Sequence, residues 1–177
     1  MRKCLPLLIL LINFTITGVA MSETDYASYC SDYASYFIKK ANGDETIAFP
    51  ERIDSKKLDY SFESLKAIDK YLEYLHKNNS TISQHEEINT IVWCGCYIGE
   101  VIKRSSEKVF HWENYQAYIE RNPKLKQLIS FGPGTMVFLV DDRGAMTMPL
   151  NKVGRFIYEG PENNIHFYAS GELKYRK

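Results

Sequence analysis

The sequence lacks the features that mark several common classes of protein. Its 22 Lys and Arg balance 22 Asp and Glu, so it has no excess of the basic charge that binds nucleic acid. It has only 4 His, and none forms a His-x-x-x-His pair. It contains no serine-nucleophile elbow, phosphate-binding glycine loop or EF-hand spacing. We therefore expect no nucleic-acid partner, and the sequence favours a binding protein over an enzyme.

What the sequence does have is enough apolar material for one domain. The chain has 177 residues, of which 45% are hydrophobic and 14% aromatic. That composition excludes disorder over most of the length. The length suits a single hydrophobic core and leaves little room for two.

The first residues have the pattern of a secretory signal. Arg2 and Lys3 precede an apolar run at 5–19, and Gly18-Val19-Ala20 places small residues at a cleavage site. The run is shorter than the roughly 20 residues that span a bilayer. We predict that residues 1–20 are a cleaved signal peptide. The mature protein would then be periplasmic or secreted, with no stable membrane anchor.

Export changes how the cysteines are interpreted. Cleavage removes Cys4 and leaves Cys30, Cys94 and Cys96, which allow one disulfide at most in an oxidising compartment. If their segment is helical, Cys94 and Cys96 point about 200° apart and cannot pair with each other. We therefore expect that any disulfide joins Cys30 to Cys94 or to Cys96. The spacings match no zinc site, so we expect neither metal nor cofactor.

A repeated pentapeptide organises the start of the mature chain. Asp-Tyr-Ala-Ser-Tyr occurs at 25–29 and again at 32–36. The seven-residue period predicts a helix with a tyrosine stripe, followed by an extended loop, within residues 21–57. The stripe consists of Tyr26, Tyr29, Tyr33 and Tyr36. These rings either pack on the core of an amphipathic helix or form a partner-binding surface, where tyrosine is a frequent anchor.

Two further helices follow the loop. Apolar residues spaced by three and four predict a helix after Ser61, and Ser83 with Glu86 forms a capping-box pattern that opens the most apolar segment. Gly95 and Gly99 lie four residues apart in that segment, which predicts close packing of another element. Glu100 either pairs with Arg104 at the surface or is a functional carboxylate in a partly buried position.

The rest of the chain has the pattern of a small sheet with helices. Residues 109–112 and 136–140 are predicted strands, and the second returns through a turn at 141–144. A short helix begins at Pro149, and one further helical turn follows Pro161 and extends through Tyr168. The expected fold class is α+β, with three N-terminal helices, a small antiparallel β-sheet and a short C-terminal helix. Residues 58–177 would form a single α+β domain.

Two motifs together resemble a known family. They are Gly95-x-Tyr97-x-Gly99-Glu100 and Pro149-Leu150-x-Lys152-Val153, preceded by Leu58-Asp59-Tyr60-Ser61. Over about residues 58–168 the chain resembles a family of small uncharacterised bacterial proteins, a domain of unknown function. Some of its members occur near secreted toxins, so the resemblance implies an immunity role. It transfers no catalytic residue.

These observations lead to two functional expectations. The first is an exported non-catalytic binding protein, of the immunity type, that binds a toxin or another envelope protein through Tyr26, Tyr29, Tyr33 and Tyr36. The second is a periplasmic hydrolase of unknown substrate with a site near Glu100. The first is preferred because no nucleophile–base pair or metal-ligand cluster occurs at a recognisable spacing.

Overall fold

The computed structural model describes residues 25–39 and 46–174, so the predicted signal peptide at 1–20 lies outside the described residues. Three helices come first, a small sheet with one inserted helix follows, and two helices end the described chain, which is an α+β fold. The α-helices are α1 (Tyr26–Lys39), α2 (Leu65–Lys77), α3 (Gln84–Ser105), α4 (Tyr115–Arg121), α5 (Pro149–Glu159) and α6 (Ile165–Lys174). The strands are β1 (Phe110–Asn114), β2 (Val137–Asp141) and β3 (Met146–Thr147). Short 3₁₀ turns occupy Pro50–Arg52, Ser55–Lys57, Phe62–Ser64, Asn79–Thr81, Pro123–Gln127 and Pro161–Asn163.

Helix α3 is the centre of the molecule. The capping box predicted at its start is confirmed: the Glu86 N–H donates to Ser83 Oγ over 3.3 Å, and the Ser83 N–H donates to Glu86 Oε2 over 3.0 Å. From Thr90 to Ile102 every residue of α3 is buried. Helices α1, α5 and α6 pack around it. Within the described ranges, no helix is both long and apolar enough to cross a membrane.

Two glycines let other elements approach α3 closely. A Cβ added at Gly95 would lie 2.6 Å from Leu150 Cα at the start of α5, and one added at Gly99 would overlap the Trp112 indole ring of β1. At both positions the neighbouring atoms are too close to leave room for a side chain. The prediction that the pair serves close packing is therefore confirmed.

The sheet has the order β1-β2-β3 and is antiparallel throughout, as the α+β prediction requires. In β2, Val137 and Leu139 face the main core. The alternate residues Phe138 and Val140 face the other way and pack with Tyr118 in a smaller cluster. The sheet thus carries apolar packing on both faces.

The C-terminal helix is longer than the sequence predicted. We expected one helical turn from Pro161 through Tyr168, but α6 continues to Lys174. Its first backbone groups are capped from a distance. Asp69 of α2 accepts the N–H of Ile165 over 2.6 Å and the N–H of His166 over 3.2 Å. A carboxylate at a helix N-terminus satisfies donors that otherwise have no partner.

We predict that Gly99→Ala lowers the free energy of unfolding by about 1–3 kcal/mol, because the new methyl group displaces Trp112. The matched control is Gly171→Ala in α6, where an added Cβ meets nothing within 4 Å. That change should raise stability by up to about 1 kcal/mol through helix propensity. Urea unfolding of both variants gives the comparison. Equal stabilisation by the two changes would contradict the close packing.

Candidate functional site

A disulfide fixes α1 against the central helix. Cys30 is bonded to Cys96, with their Cα atoms 5.1 Å apart. Of the two partners that the sequence left open for Cys30, this is the second. Cys94 has a free thiol and is fully buried, and this burial raises its pKa well above the ordinary value. A protonated, inaccessible thiol is not a nucleophile.

One helical turn beyond the disulfide, Glu100 forms the centre of a polar cluster. Its Oε1 accepts hydrogen bonds from Trp112 Nε1 over 2.9 Å, Lys103 Nζ over 2.9 Å and Ser31 Oγ over 3.4 Å. Glu100 is only 6% exposed. These four residues, called the Glu100 cluster below, join α1, α3 and β1.

The expectation of a surface ion pair between Glu100 and Arg104 is wrong. The carboxylate pairs with Lys103 instead, three residues along the helix. The guanidinium of Arg104 lies over the Tyr60 ring, 3.6 Å from its centroid. A cation over an aromatic face is a favourable contact in its own right, so each basic side chain has a separate partner.

The geometry of the Glu100 cluster favours a role in holding the fold together. A catalytic carboxylate needs access to substrate, whereas this one already accepts three donors. Two depressions of about 450 Å³ and 470 Å³ on the described surface are lined by other residues, among them Asp141 and Lys66. In the described part of the chain, no three His, Cys, Asp or Glu side chains are placed to hold a metal ion.

The four tyrosines of α1 divide into two kinds. Tyr29 and Tyr36 are 49% and 41% exposed. Tyr26 and Tyr33 are half-buried and pack against the core. The fully covered face of α1 consists of Cys30, Ala34 and Phe37. The tyrosines therefore lie along the boundary between core and solvent. Core packing describes Tyr26 and Tyr33, while a partner-binding role for the exposed Tyr29 and Tyr36 stays a prediction.

The rings of α1 continue onto α3 as one aromatic row. The centroids of Tyr29 and Tyr33 are 6.2 Å apart, those of Tyr33 and Tyr36 are 6.4 Å apart, and Tyr36 lies 5.9 Å from Trp93. We call Tyr29, Tyr33, Tyr36 and Trp93 the aromatic row. Offset and edge-on contacts at these distances stabilise ring positions. The row therefore presents two exposed rings in fixed places.

Sequence reasoning missed the neighbours of both features. Nothing in the sequence places Trp93 beside Tyr36, or Trp112 and Ser31 beside Glu100, because these contacts cross between elements. Lys103 was detectable, since three-residue spacing on a helix brings side chains together as well as four-residue spacing does.

We predict that Glu100→Ala lowers the free energy of unfolding by about 1–3 kcal/mol, since it leaves the partly buried Trp112 N–H without an acceptor. The matched control is Glu73→Ala, which removes an exposed carboxylate that also pairs with a lysine, Lys77. That change should cost about 0–1 kcal/mol. Combining Glu100→Ala with Trp112→Phe should show coupling of at least about 0.5 kcal/mol in denaturant unfolding. If Glu100→Ala and Glu73→Ala lower the free energy of unfolding equally, the Glu100 cluster does not stabilise the fold.

Comparison with models of known protein families, with curated proteins and with solved structures finds no match to this chain. The resemblance to a small bacterial family therefore stays a prediction.

Proposed function

We propose that this chain is an exported non-catalytic binding protein, of the immunity type, whose partner is a toxin or another envelope protein. The observation that carries the proposal is the pair of exposed rings, Tyr29 and Tyr36, held in the aromatic row. Tyrosine is enriched among the residues that contribute most to protein–protein binding. A ring supplies a large contact area and a hydroxyl while losing little side-chain entropy.

The helix that carries these rings is fixed at several points. Besides the disulfide, the Ala27 N–H donates to Asn114 Oδ1 over 3.0 Å, and Asn114 Nδ2 donates to Asp25 Oδ1 over 2.8 Å. The row on α1 is therefore anchored to β1 at one end and to α3 along its length. A surface that is ordered before binding loses less entropy on association.

Export is the second part of the proposal. The support is the signal-like pattern at 1–20 together with the bond between Cys30 and Cys96. Disulfides persist in the periplasm and outside the cell but are rare where thiols are kept reduced. The two observations are independent and agree on an oxidising compartment.

The alternative is a periplasmic hydrolase with its site at Glu100. One observation favours it: Ser31 is exposed and its hydroxyl donates to Glu100, so a polar group of the cluster reaches solvent. The other two donors to the carboxylate would have to move before it could act as a base. We therefore prefer the binding protein.

We predict that protein recovered from the cell envelope begins at or near Met21 and contains a Cys30–Cys96 linkage. N-terminal sequencing and peptide mapping without reductant measure both. The cause is cleavage after Ala20 followed by oxidation in the exported compartment. An intact Met1 in a membrane pellet would contradict export, whatever the state of the cysteines.

We predict that Tyr29→Ala with Tyr36→Ala weakens binding of the natural partner by about tenfold or more, which is about 1.4 kcal/mol. The partner is first captured from the envelope fraction with the native protein and identified by mass spectrometry. Affinities of the purified partner are then measured by calorimetry. The matched control is Leu128→Ala with Phe167→Ala, which removes two exposed apolar side chains elsewhere.

The control variant should bind as the native protein does, and both variants should stay folded because the changed side chains are exposed. Tyr26 and Tyr33 are left in place because they pack on the core, so their loss would mix stability with binding. If both variants lose affinity equally, the aromatic row is not the interface. If Glu100→Gln abolishes a measured hydrolytic activity in a folded protein, the alternative replaces the binding proposal.

A further inference from the structure

Strand β1 has one paired edge and one edge that faces outward. It pairs only with β2 within the described sheet. The Tyr115 N–H donates to Met136 O over 2.9 Å, which fixes the alternation of the ladder. The backbone groups of Glu113 and His111 therefore point toward β2, and those of the residues between them point away.

The outward groups are the N–H and C=O of Phe110 and Trp112 and the N–H of Asn114. Among the described residues, none of these groups makes a hydrogen bond across the outer edge. Helices α1 and α3 do not cover this outer edge. The Trp112 and Asn114 side chains contact them over one face of the sheet instead. An edge with free donors and acceptors is a template for another strand.

We propose that the outer edge of β1 binds β1 of a second copy of this chain, antiparallel across a two-fold axis. Trp112 lies opposite Trp112 of the second copy, and Phe110 lies opposite Asn114. In this register the two Trp112 residues exchange two hydrogen bonds. Each Asn114 N–H donates to the Phe110 C=O of the other copy, which adds two more. The proposal does not depend on the proposed function.

The side chains explain why the occupant is a second copy. The same register places His111 opposite Glu113 of the other copy, and Glu113 opposite His111, on the face away from α3. The His111 side chain is 58% exposed, and its Nε2 lies 3.6 Å from Glu113 Oε2 in its own chain. The Glu113 side chain is 13% exposed and also accepts a hydrogen bond from Arg121 Nε over 2.8 Å, so His111 of the second copy would share this acceptor with Arg121. A donor–acceptor pair that repeats itself across a two-fold axis makes the edge complementary to itself.

An apolar contact extends the pairing at each end. Val109, which is 70% exposed, lies opposite Tyr115 of the second copy in this register. The Tyr115 ring contacts Phe131, another exposed side chain, with centroids 5.5 Å apart. Because the contact is one strand wide, it buries less area than the ~1,200 Å² of stable interfaces. The dimer therefore dissociates on dilution.

The contribution of the backbone hydrogen bonds to the dimer is tested with proline at position 114. The φ of Asn114 is −63°, a value that proline adopts, so Asn114→Pro removes the outward N–H without forcing a new backbone shape. The matched control is Asn114→Ala, which loses the same side-chain bonds to Ala27 and Asp25 but keeps the N–H. The contribution of the side chains is tested with two changes at His111. His111→Glu places a carboxylate opposite the Glu113 carboxylate of the second copy, whereas the control His111→Lys keeps a donor there.

The measurement is sedimentation velocity of the purified protein over a dilution series, with circular dichroism to check folding. We expect native protein, Asn114→Ala and His111→Lys to share one concentration-dependent dimer. We expect Asn114→Pro and His111→Glu to weaken it by about tenfold. Native protein that stays monomeric at every concentration overturns the proposal, as does a dimer that both changes leave intact. Monomeric native protein whose captured partner is lost on Asn114→Pro would assign the edge to a strand of that partner instead.

Discussion

A helix satisfies its own backbone hydrogen bonds, but its apolar side chains must be covered by other elements on every side where they emerge. Helix α3 imposes this requirement over the whole stretch from Thr90 to Ile102, where every residue is buried. The apolar side chains of α3 are covered by helices α1, α5 and α6 and by the indole of Trp112. At Gly95 and Gly99 the cover comes so close that no side chain fits. The positions of α1, α5, α6 and β1 therefore follow from this one helix.

The parts of the fold that the sequence predicted are those governed by local periodicity. The capping box at Ser83, the glycine pair on α3 and the turn into β3 each depend on residues within a few positions of one another. The α+β class follows from the order of such segments. The start of α6 at Ile165 could not be predicted, because the carboxylate that caps its first turn belongs to Asp69, 96 residues before Ile165. Sequence spacing carries no signal for a contact of that kind.

The same distinction, between features set by nearby residues and features set by distant contacts, separates the two candidate sites. Tyr29 and Tyr36 were identifiable because a seven-residue repeat sets them on one side of a helix, although their exposure depends on where Cys30, Ala34 and Phe37 are buried. The surroundings of Glu100 were not identifiable, because its donors come from three elements. In the folded chain both features belong to the contact between α1 and α3. The buried polar cluster orders the same helix whose outer side carries the aromatic row.

The link between Cys30 and Cys96 gives α1 a second covalent route to the rest of the molecule. The chain itself leaves α1 at Lys39 and continues to the 3₁₀ turn that begins at Pro50. A protease that cuts between these two positions would produce two polypeptides joined by sulfur. The shorter one would keep Ala34 and Phe37 in the core. Cleavage would therefore change the connectivity of the protein without releasing its N-terminal helix, and only reduction as well as unfolding would separate the pieces.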